Sequence, residues 1–145
     1  MTYFNYVNVM DSKTVSHPRP LSPHLGIYRF KLHMAMSIFH RITGCALAFS
    51  TPVLVAWIWS LAYSPEWFVC ISDFLKTIIG QLMLIGWTFA FFYHLGNGVR
   101  HLFWDTGRGF QLETVTKSGV SVILFAVIFT AVTWGCLYYR MAGVQ

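Results

Sequence analysis

The sequence predicts an all-α membrane protein with three transmembrane helices and its N-terminus on the inner side. Composition, three uncharged runs and a lopsided placement of basic residues predict it. Hydrophobic residues make up 56% of the chain and charged residues only 10%, where a soluble domain carries about 25% charged residues. With 13 Phe, 7 Tyr and 6 Trp among 145 residues, a soluble core of this length could not bury the apolar surface, whereas lipid accepts it. A chain this short is one domain.

The uncharged runs are Ile42 to Pro65, Thr77 to Val99 and Ser118 to Tyr139. Each meets the ~20 residues a spanning helix needs. A helix is the form a lone apolar segment takes in hydrocarbon, because its backbone groups must be satisfied internally. The spans are placed at residues 31–65, 75–104 and 117–140, after an N-terminal arm over residues 1–30. The stretch from Glu66 to Lys76 reads as a short linker between antiparallel neighbours, and Arg100 to Lys117 as a longer polar link. The first helix starts ahead of its uncharged run. From Met34 to Tyr63 it would span roughly 45 Å at helical rise, more than the ~30 Å of hydrocarbon, so its first turns lie in the headgroup zone or under protein.

Basic residues orient the spans. Lys13, Arg19, Arg29, Lys31, Arg41, Arg100, Arg108 and Lys117 fall on one side, and only Lys76 and Arg140 on the other. Eight against two puts the arm inside and the C-terminal tail outside. The formal charge of +5 therefore sits at membrane edges, which suits lipid headgroups and not nucleic acid. Trp57, Trp59, Tyr63 and Trp67, with Trp134, Tyr138 and Tyr139, mark the outer edge as an aromatic belt. Residues 1–16 have neither the apolar run of a signal peptide nor the Arg-rich character of a transit peptide. The first span then acts as its own insertion signal, which fits a bacterial plasma membrane and also a protein made inside an organelle. Cys45, Cys70 and Cys136 are too few and too scattered for a disulfide framework or a metal cluster. Cys45 and Cys136 are expected to serve as small packing residues.

His94 is the most informative single residue. It lies six residues before Arg100, roughly 9 Å deeper than that charge, and an ionisable group within a span is costly. It is either a neutral imidazole bonded to a neighbouring helix or an axial haem ligand, since imidazole suits iron. Gly96 and Gly98 would admit a flat macrocycle or a partner helix equally well. No second His stands at matching depth, because His33 and His40 lie at the inner end of the first helix and His101 at the interface. A six-coordinate iron would need its other ligand from another subunit. His94 and His101, seven residues apart on one face, could ligate two separate groups, but His101 suits a propionate or a lipid phosphate better.

A second constellation joins His33, Ser37 and Arg41 at i, i+4 and i+8, with His40 bordering the same face. Arg41 could simply snorkel to lipid phosphate. The set could also hold the polar head of a membrane-soluble molecule such as a quinone. Ser37 would bond a carbonyl oxygen, Arg41 would stabilise negative charge as electrons arrive, and His40 would relay protons. A third feature, Arg100 and His101 followed by Asp105, reads as an interfacial stop with a helix-side ion pair.

Three segments in order, Arg19–Tyr28 (RPLSPHLGIY), Ser37–Gly44 (SIFHRITG) and His94–Asp105 (HLGNGVRHLFWD), resemble the signatures of cytochrome b556 subunits of succinate dehydrogenases. The resemblance runs from about Arg19 through the third span. It implies half of a two-subunit helical bundle holding one haem b, shared with a second membrane-anchor subunit. A flavoprotein subunit and an iron–sulfur subunit would be seated on the inner face. It implies His94 as the haem axial ligand, and so the ligand to the haem iron, with the partner supplying the other. Ser37 and Arg41 take quinone-site positions, while His40, Arg41 and His101 lie towards the propionates or a proton relay. The RPLSPHLGIY form resembles the mitochondrial and alphaproteobacterial branch and so favours ubiquinone over menaquinone as substrate. The absence of transit-peptide character in residues 1–16 sets a bacterial inner membrane before a mitochondrial one. The arm, which Pro20, Pro23 and Gly26 keep from forming one continuous helix, would help dock the iron–sulfur subunit. On this resemblance the chain is an enzyme subunit, not catalytic by itself. Two other readings stay open: a purely structural anchor without cofactor, and the cytochrome b anchor of another quinone-linked oxidoreductase.

Overall fold

The computed structural model describes residues 29–143 of the chain. The expectations for the arm up to residue 28, including its docking role, lie outside the described residues. Four helices follow in order: α1 (Leu32–Tyr63), α2 (Pro65–Lys76), α3 (Ile78–Asp105) and α4 (Leu112–Ala142). α1, α3 and α4 are each long and apolar enough to cross a membrane. Among the described residues there is no strand, as a chain built from long apolar runs requires.

The stretch from Glu66 to Lys76 is itself a helix rather than an open linker. Pro65 at its first turn has no N–H to leave unsatisfied. Glu66 at the start and Lys76 at the end oppose the helix dipole with the right signs. α2 folds back on the end of α1: Trp57 Nε1 donates to Ser72 Oγ at 3.0 Å, and Trp57 stacks on Phe68 with centroids 5.7 Å apart. Thr77 closes the junction as the N-cap of α3, its Oγ1 accepting from Gly80 N at 3.2 Å.

At the opposite end of the bundle α1 begins, α3 ends and α4 begins; we refer to it as the His40 end. Gly107 and Gly109, with φ of 76° and 82°, make the left-handed turns between α3 and α4 that a side chain would strain. α4 starts at Leu112, ahead of Lys117, and Lys117 pairs with Glu113 at 2.7 Å on its exposed face.

α3 packs against both α1 and α4, so it is the middle helix. The core is small: Met36, Tyr93, Val122 and Ala126 are buried, with Phe89, Phe92 and Ile123 around them. Close approach depends on missing side chains. A Cβ at Gly119 would stand 2.6 Å from Met36 Sδ, so the glycine lets α1 reach α4, as small residues do between membrane helices. Tyr93 buries its ring there and donates from its hydroxyl to Met36 O at 3.1 Å. Most large apolar side chains face outward, Phe49, Ile78 and Tyr139 among the most exposed. That suits a bundle whose solvent is lipid or another subunit. Cys45 and Cys136 are exposed rather than packed in this core, because three helices in so small a bundle bury only a narrow strip of each.

Candidate functional site

The helix crossing brings three histidines into one column at the His40 end. His40 of α1 lies flat against His94 of α3, with centroids 4.1 Å apart and ring planes 14° apart. On its other flank His40 meets His101 at 5.2 Å, and His101 meets the edge of Trp104 at 5.1 Å. The expectation that no second His stands at the depth of His94 is corrected here: the crossing of α1 over α3 carries His40 to it. Stacked rings at this distance leave no room for an iron between them. Among the described residues no three His, Cys, Asp or Glu side chains group to hold a bare metal ion.

The polar contacts of His94 assign its proton. Its Nδ1 lies 3.2 Å from the His40 carbonyl oxygen and 3.4 Å from Thr43 Oγ1. A carbonyl only accepts, so Nδ1 carries the hydrogen and Nε2 the lone pair. The Thr43 hydroxyl sends its own proton back to α1, to Phe39 O at 2.9 Å and His40 O at 3.0 Å. His40 Nδ1 is buried and has no hydrogen-bond partner among the described residues. A buried ring nitrogen left unpaired is costly, and it marks a place where a polar group from outside the described residues belongs.

Ser37 and Arg41 are exposed on α1, and their side chains make no hydrogen bond among the described residues. Ser37 lines a cleft of about 260 Å³ with His33, Asn97, Arg100 and His101, whereas Arg41 does not line it. The sequence-proposed residues thus separate into a column of His40, His94 and His101, a cleft bordered by Ser37, and a guanidinium of Arg41 beside them on the surface.

Arg100 overturns the expected ion pair with Asp105. It is 7% exposed and turned into the bundle. Its Nε donates to Ser118 Oγ at 3.0 Å, one terminal nitrogen to Val115 O at 2.9 Å, and the other to Asn97 Oδ1 at 3.4 Å. Its guanidinium carbon sits 4.1 Å from the centre of the Trp104 ring. α4 offers a hydroxyl and a carbonyl within reach, and these neutral acceptors with the aromatic face replace the carboxylate. Asn97, only 1% exposed, is held by this network while its Nδ2 has no hydrogen-bond partner among the described residues. Arg100→Met removes the donors to Ser118 Oγ and Asn97 Oδ1, while Val115 O keeps the Ser118 hydroxyl at 3.1 Å. The purified protein should therefore lose about 1–3 kcal/mol of stability, and its thermal midpoint should fall. Arg100→Lys, lacking the fork, should not restore it; a Met variant as stable as wild type would contradict the role.

Thr43, Gly44, Asn97 and Trp104 were not singled out as partners by sequence reasoning, although Thr43 and Gly44 stand one turn beyond His40 on α1. Three helices long enough to span a membrane, with histidines stacked across α1 and α3, define a multi-span helical membrane protein with an imidazole-lined inner seam. Similarity to known proteins narrows this. Residues 15–133 match the family of succinate dehydrogenase/fumarate reductase transmembrane subunits. The succinate dehydrogenase cytochrome b556 subunit of Rickettsia bellii is 41% identical over 120 residues, covering 83% of this chain and 94% of that one. The subunit of the same name from Paracoccus denitrificans is 38% identical over 115 residues, covering 79% and 88%. The mitochondrial succinate dehydrogenase cytochrome b560 subunit of Sus scrofa is 38% identical over 122 residues, covering 81% and 70%. The chain belongs to the succinate dehydrogenase/fumarate reductase transmembrane subunit family. Its bacterial relatives and its three spanning helices make it a multi-pass protein of the bacterial inner membrane.

Proposed function

We propose that this chain is the cytochrome b anchor of a succinate:ubiquinone oxidoreductase. It would share one haem b with a second membrane anchor and help form the site where ubiquinone is reduced. The observation that carries the reading is His94: a histidine within a span, protonated at Nδ1 by its bond to the His40 carbonyl, with Nε2 left to ligate. The unpaired Nδ1 of His40 beside it supports the same reading, because a carboxylate such as a haem propionate would satisfy it. The residues present therefore fit the group. Bound there, the haem would supply a one-electron store beside the quinone.

This chain's own residues do the holding and polarising. His94 would hold the iron together with a histidine of the second anchor. His40, and His101 behind it, would face the propionates or pass protons along the column. Ser37 would donate to a quinone carbonyl at the mouth of the cleft. Arg41 would place positive charge where the ring oxygen gains electrons. The basic distribution makes the His40 end the inner face. The iron–sulfur and flavoprotein subunits would bind there and deliver electrons from succinate.

Affinity purification through a tag on this chain, from membranes solubilised in mild detergent, tests the assembly. The expected eluate contains a flavoprotein, an iron–sulfur protein and a second small membrane protein, and oxidises succinate. Recovery of this chain alone from membranes that retain succinate oxidation would contradict it.

A further inference from the structure

The ring of His94 is held from α1 by contacts that the ligand assignment does not use. At Gly44 an added Cβ would stand 3.0 Å from His94 Cε1 and 3.5 Å from Nδ1. The face of the same ring is closed by His40 at 4.1 Å. The imidazole is thus fitted into a notch, with the bare backbone of Gly44 at its edge and His40 against its plane. Seated in that notch, Nδ1 lies 3.2 Å from the His40 carbonyl oxygen and 3.4 Å from Thr43 Oγ1.

We infer that Gly44 is a positioning residue: its missing side chain seats His94 against α1, where the His40 carbonyl and Thr43 Oγ1 fix the ring's tautomer and plane. This inference rests on the haem reading of His94 and goes beyond it, by naming what sets the ligand's strength. A hydrogen bond from the far nitrogen of a ligating imidazole makes that imidazole a stronger donor. A stronger donor favours the ferric over the ferrous iron and so lowers the midpoint potential. Gly44 acts here without touching the group itself. A methyl at this position must push the ring away from α1, because His40 blocks its retreat across the stacked face. The Nδ1 bond then lengthens, the ligand weakens, and the plane of the ring turns.

The test is a potentiometric titration of the haem, with the low-spin ferric electron paramagnetic resonance spectrum, in the full purified complex. Wild type is compared with Gly44→Ala, Gly44→Ser and Gly135→Ala. Alanine is a better helix former than glycine, so the Gly44 variants should assemble and keep their haem. Both should show a midpoint potential above wild type and altered g-values, which follow the orientation of the axial ring. Gly135→Ala, where a Cβ meets nothing within 4 Å, should match wild type. Wild-type potential and g-values in both Gly44 variants, with haem present, would overturn the positioning role and leave the haem reading standing. A wild-type complex without haem would overturn the haem reading itself, and the positioning role with it.

Discussion

Arg41→Ala should cut ubiquinone reduction by about 100-fold or more while leaving succinate oxidation by an artificial soluble acceptor unchanged. The magnitude is that of removing one preorganised donor from a site where negative charge develops. Arg41 is exposed and has no hydrogen-bond partner among the described residues. Its guanidinium is therefore not committed to holding the bundle together, unlike that of Arg100. Its loss should not unfold the anchor. Steady-state assays with a short-chain ubiquinone and with a dye, on the same preparation, separate the two activities. Quinone reduction near the wild-type rate would place the site elsewhere. Parallel loss of both activities would point to failed assembly instead.

His94→Ala should reduce the haem content of the purified complex to near zero relative to flavin. His94 lies in the middle of α3, where alanine is the most helix-favouring substitute. Its ring stacks on His40 and bonds to α1 at the His40 carbonyl and Thr43, and it makes no ion pair among the described residues. The variant helix should therefore still form and cross the membrane, so that haem loss reports ligation and not folding. Haem content unchanged in this variant would mean that another residue binds the iron.

The spans were legible because hydrocarbon tolerates few patterns: Thr77 to Val99 can hardly be anything but a helix once it carries no charge. α2 was less visible, since the short stretch from Glu66 to Lys76 between two uncharged runs reads as a linker. The local signature of Ser64, Pro65 and Glu66 at a helix start was nonetheless present in the chain. His94 stood out because an ionisable group inside a span is rarely idle. Its pairing with His40 did not, because spacing along one helix does not say where another crosses it. Arg100 misled for a related reason. A charge at the end of a span reads as facing headgroups, and what turns it inward is Ser118 and Val115 of α4, eighteen and fifteen residues further along the chain. Gly44 closes the SIFHRITG segment, but its use was not legible there, since it depends on the ring that arrives from α3.

The central claim is that His94 binds a haem, and the dithionite-reduced minus oxidised absorption spectrum of the purified complex tests it most directly. A b-type α-band is expected in wild type, and its loss in His94→Ala. A wild-type complex that oxidises succinate, reduces ubiquinone and shows no such band would contradict it.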